Sequence, residues 1–61
     1  MITEKLRIGD VLQTTHGLVT VTSVERYGWQ IDYEDGGKGR MDPTADAVLV
    51  GRRSLREVFS P

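Results

Sequence analysis

Residues 28–34, Gly-Trp-Gln-Ile-Asp-Tyr-Glu, alternate apolar and polar side chains without a break after the glycine. Trp29, Ile31 and Tyr33 fall on one side of an extended chain, and Gln30, Asp32 and Glu34 on the other. A period of two belongs to a strand with one buried and one wet face, not to a helix. Asp35-Gly36-Gly37 follows at once. Asp-Gly readily takes the positive φ angles of primed turns, so the pattern predicts a hairpin with a return strand over residues 38–41. Asp42-Pro43 stops that strand, because proline has no amide to give to a ladder.

The rest of the chain is punctuated in the same way. Residues 10–15 form a strand candidate between Gly9 and the turn signal His16-Gly17. Residues 18–25 are rich in valine and threonine, whose branched side chains suit a pleated surface. Their alternation is imperfect: Leu18 and Val19 are both apolar, then Val21, then Val24. A long strand whose buried face shifts partway is what a small barrel needs at a bend. Tyr27-Gly28 makes the next break, residues 43–46 read as one 3₁₀-like turn, and residues 47–50 form a fifth strand ended by Gly51.

Five short strands with tight connections predict an all-β protein, a five-stranded SH3/Tudor-like barrel over residues 1–51. A basic, amphipathic tail over residues 52–61 follows it. There, Ser54 and Glu57 stand in the spacing of a capping box, and Leu55, Val58 and Phe59 share one face of a short helix. Such a helix is too short to stand alone and is expected to dock on the barrel.

A chain of 61 residues makes one domain, and it buries only about 60% of the surface its unfolded form exposes. Domains this small often lean on disulfides, a metal or a partner subunit. The absence of cysteine removes disulfides and thiolate zinc sites, and the single histidine removes a multi-histidine site. No cofactor or metal is expected; the apolar core, helped by self-association as a homodimer, carries the stability. No run approaches the roughly 18 apolar residues of a membrane span, and residues 1–8 lack a signal-peptide core. A soluble, cytoplasmic protein is the expectation.

The net charge of −1 and pI near 5.7 argue against a strong sequence-blind nucleic-acid binder. The charge is uneven, however. Residues 1–35 hold three cations against six carboxylates, a balance of −3, and residues 36–61 hold five against three, a balance of +2. Lys38, Arg40, Arg52, Arg53 and Arg56 make up the basic half, which reads either as a contact face or as solvated surface.

No catalytic constellation can be named, so an enzyme is not expected. His16 has no neighbouring ligand or nucleophile and reads as a turn residue. Asp32, Glu34 and Asp35 sit on a wet face and its turn, whereas glycosidase chemistry needs a deep cleft. Gly36-Gly37-Lys38-Gly39-Arg40 is glycine-rich and cationic, but a phosphate loop would open a helix and here a strand follows. It reads as a hairpin tip able to touch a phosphate backbone or an acidic protein. Trp29 and Tyr33 belong to the core, and Tyr27, in a turn, is the aromatic placed for a surface contact.

Three stretches carry a family likeness: Ile8-Gly9-Asp10-Val11, the run Thr-His-Gly-Leu-Val-Thr-Val over residues 15–21, and residues 31–43. Together they resemble the Tudor-like domains of the CarD type and those of the transcription-repair coupling factor and the C-terminus of UvrD-type helicases. A more distant similarity is to KOW domains. Val19 stands where the family carries its second glycine. The resemblance implies a non-enzymatic module that docks on RNA polymerase by pairing an exposed strand edge. The expected function is therefore binding in transcription or DNA transactions, to polymerase or nucleic acid, through an edge and the basic group with Tyr27. The alternative is a small protein-interaction or inhibitor protein, acting as a homodimer without touching nucleic acid.

Overall fold

The structure, a computed structural model, describes Ile2 and residues 5–59, with Leu55 and Phe59 described by backbone alone. Five strands form: β1 (Asp10–Thr14), β2 (Gly17–Glu25), β3 (Gly28–Tyr33), β4 (Lys38–Met41) and β5 (Ala47–Arg52). A five-residue helix, α1 (Leu55–Phe59), follows. All pairings are antiparallel and the sheet runs in the order β4-β3-β2-β1-β5.

The all-β class and the five strands match the expectation from sequence, but the sheet is open. β4 and β5 are its two edges and no ladder joins them. Closure would need a longer fourth strand; β4 has four residues, and Pro43 shortly after it cannot extend the ladder. Two residues ahead of β1 help to cover the core instead. Ile2 and Leu6 are buried in it, and the Ile2 amide donates to the Pro43 carbonyl at 3.0 Å.

The uneven alternation of β2 has a structural cause. The β2–β3 register slips between Val21 and Ser23, leaving Thr22 without an opposite residue. Such a bulge bends the strand and shifts which residues face inward. Val19 and Val21 point into the core before it, and Val24 stands opposite Trp29 after it. Leu12, Val19, Val21, Ile31 and Met41 line the inner face of the sheet, with Trp29, Tyr33, Ala45, Ala47 and Leu49 packed against them. Fully burying each Leu, Val or Ile contributes about 1.5–3 kcal/mol.

Three local expectations change. The β3–β4 connection spans residues 34–37, closed by a bond from the Gly36 amide to the Tyr33 carbonyl (3.1 Å), and only Gly36 has positive φ (92°). The Asp35 carboxylate accepts the Gly37 amide at 2.9 Å, so Asp35 itself keeps an ordinary φ and no primed turn forms. Before β5, the expected 3₁₀ turn reduces to a single i→i+3 bond, Ala45 amide to Asp42 carbonyl (3.1 Å). The Asp42 carboxylate takes the Thr44 amide there and stops the turn from propagating. β5 also runs past Gly51 through Arg52, because β1 still pairs with it at Asp10↔Arg52. Arg52 thus belongs to the sheet rather than to the tail.

The tail does form a helix. Ser54 Oγ accepts the Glu57 amide at 3.2 Å, which is half of the expected capping box. The Glu57 carboxylate lies 3.5 Å from Arg53 Nε. Val58 is half-buried and lines a groove with Thr22, Gln30, Asp32 and Lys38, so the tail folds back on the sheet. The side chains of Leu55 and Phe59 lie outside the described residues.

Candidate functional site

The basic residues do not form one free cationic face. Arg52 Nε donates to Asp10 Oδ1 at 2.7 Å, and Asp10 is only 1% exposed. The Arg7 amide donates to the other Asp10 oxygen at 2.9 Å. Arg40 Nε lies 3.4 Å from Glu25 Oε1, an ion-pair contact not aligned as a hydrogen bond, and Gln30 reaches Oε2 at 3.4 Å. Arg53 faces Glu57. Only Lys38 and Arg56 of the five lack an ion pair among the described residues. Tyr27 is 70% exposed, in keeping with its place in the turn before β3, and the Arg26 guanidinium lies over its ring at 5.4 Å.

Gly9 explains why Arg53 sits where it does. Its φ is 99°, and a Cβ there would collide with the Arg53 carbonyl oxygen. The close approach lets the Arg53 amide donate to the Gly9 carbonyl at 2.7 Å, while the Gly9 amide donates to Val21 at 2.8 Å. One glycine therefore ties the bulged part of β2 to the end of β5.

His16 is exposed, and its amide donates to Thr14 Oγ1 at 3.0 Å, as a turn residue would. It shares a shallow polar cavity of about 400 Å³ with Tyr33, Asp42, Thr44 and Asp46. The Thr44 hydroxyl, then the Thr44 amide, hold the Asp42 carboxyl below its ordinary range, because both bonds favour the charged form. No group of three or more His, Asp or Glu among the described residues is arranged to hold a metal ion. A second groove is lined by apolar Leu6, Ile8 and Val24 together with Arg7, Arg52 and Arg53. No helix among the described residues is long and apolar enough to cross a membrane.

The two sheet edges differ sharply. β4 is short and carries exposed Lys38 and Arg40, with Pro43 just beyond, the devices that blunt an edge against pairing. β5 is six residues long and reads Ala-Val-Leu-Val-Gly-Arg. Val48 is 65% and Val50 56% exposed on it, while Ala47 and Leu49 are half-buried. The β1–β5 register slips between Val11 and Leu12, so Val50 is a bulge residue. Sequence reasoning placed a fifth strand at residues 47–50 without assigning its faces, and so did not single out the exposed valines. Four apolar residues in a row without alternation were the available signal, but that run equally describes a strand buried on both faces.

Fold and edges together define an all-β sheet protein with one guarded and one unguarded edge. No family model, curated protein or solved structure matches the chain.

Proposed function

We propose that this protein is a non-enzymatic binding module that takes an extended protein segment onto β5 by strand addition. The observation that carries the reading is the six-residue β5 edge, unguarded by charge from Ala47 to Gly51, with Val48 and Val50 open to solvent. Added backbone hydrogen bonds would supply affinity, and the two valines would select alternate side chains of the incoming strand. The resemblance to CarD-type domains names RNA polymerase as the first partner to try and the cytoplasm as the setting.

A second reading, nucleic-acid contact, is favoured by Lys38 and Arg56. These cations have no ion pair among the described residues, and Lys38 shares a groove with Val58 of α1. Hydrogen exchange of the protein with polymerase, and separately with duplex DNA at low and physiological salt, tests both. Protection of residues 47–51 by polymerase supports strand addition. Salt-sensitive protection around Lys38 and Arg56 supports the second reading. Protection in neither region counts against both partners.

A further inference from the structure

The residues from 47 to 51 read Ala-Val-Leu-Val-Gly, and this run is complementary to itself when reversed. We propose that β5 pairs antiparallel with β5 of a second copy of this chain, about a two-fold axis through Leu49. This rests on the reading of β5 as the binding edge and names what binds there. A two-fold interface brings the same patch of both subunits together, so each residue must suit its symmetry mate.

The register follows from the axis. Val48 of one copy stands opposite Val50 of the other, and each pair of valines shares the outer face. Directly opposed residues on antiparallel strands have Cβ atoms about 4.5–5.5 Å apart, close enough for branched side chains to cover one another. Ala47 opposes Gly51, so small residues flank the centre and the backbones can approach. Beyond the bulge at Val50 the strand changes phase and Arg52 turns toward the buried Asp10 carboxylate, so the junction rests on residues 47–51 and not on the charges that flank them. The bulge at Val50 raises the local twist, which keeps the junction short and centred on Leu49.

The contrast between edges argues for a copy of the chain over an accidental apolar patch. β4 is protected against pairing and β5 is not, although both belong to one small sheet. A cysteine-free domain of this size also gains from sharing a core with a partner.

Sedimentation of the full chain from micromolar to millimolar concentration tests the proposal, with hydrogen exchange across the same range. A monomer–dimer equilibrium is expected, with amides of residues 47–51 becoming protected as concentration rises. Val48→Lys, at an exposed position that leaves the fold intact by circular dichroism, is expected to weaken dimerisation about tenfold or more. The register has its own readout. A mixture of Val48→Cys and Val50→Cys chains should cross-link faster than either chain alone. A strict monomer at millimolar concentration overturns the proposal, as does a dimer indifferent to Val48→Lys. In either case, protection of residues 47–51 by a different added protein would leave the strand-addition reading standing, and its absence would remove that too.

Discussion

Arg52 and Asp10 form a 2.7 Å ion pair between the last residue of β5 and the first residue of β1, and the carboxylate is almost wholly buried. The two residues are 42 positions apart in the chain, so the contact joins its two ends. Its partner guanidinium is about half exposed, which limits the worth of the Coulomb attraction itself. The cost of breaking the pair is different, because it strands a buried charge.

Arg52→Ala is therefore expected to destabilise the fold by about 1–3 kcal/mol. Removing both partners with Asp10→Asn and Arg52→Ala should cost less than the sum of the single changes. Urea unfolding of the four proteins measures this. Additive losses would show that the pair is incidental.

Gly9 and Gly17 separate backbone strain from collision. Both have positive φ (99° and 97°), but only at Gly9 would a Cβ strike backbone, the Arg53 carbonyl. Alanine at either site carries a left-handed penalty of about 1–3 kcal/mol. Gly9→Ala should lose clearly more than Gly17→Ala, because its neighbour cannot yield without breaking the tie to β5. Thermal or urea midpoints of the two variants decide it.

Asp42 is held below the ordinary carboxyl range by Thr44. Because the folded value is depressed, its contribution is fully present above the ordinary carboxyl range and is lost as pH falls through the lowered value. Thr44→Ala should move the Asp42 titration upward toward the ordinary range in a carboxyl NMR experiment. No movement would assign the depression to another cause.

Leu12 is 0% exposed and pairs with both Val19 and Leu49. Leu12→Ala should cost about 2–5 kcal/mol, which is comparable to the whole stability of about 3–5 kcal/mol open to a domain this small. Loss of dispersed amide resonances in the variant is the expected result. Val48→Ala, at an exposed position, should stay within about 0.5 kcal/mol of the parent.

Much of this sheet was legible from its residues. The alternation of Trp29, Ile31 and Tyr33 placed β3 and its buried face, since a period of two is a local property of the extended chain. Pro43 ended β4, and the broken pattern from Leu18 to Val24 announced the bend at Thr22. The hairpin tip was located but its turn type was not, because the Asp35 carboxylate chose the Gly37 amide. Candidate contact residues were less legible. The balance of +2 over residues 36–61 left open a contact face built on Lys38 to Arg56, yet Arg40 and Arg52 meet acids from β2 and β1.

By itself, then, the sequence determined what neighbours along the chain can settle: strand periods, turn positions, the Ser54 cap and a core without disulfides. Tertiary structure alone decided that the sheet stays open, that β5 lies at its edge, and that Val48 and Val50 face solvent while Leu49 packs inward. The reason is physical. Whether an apolar run is covered depends on which strand lies beside it, and that strand is brought there by contacts such as Asp10 to Arg52, far apart in the chain.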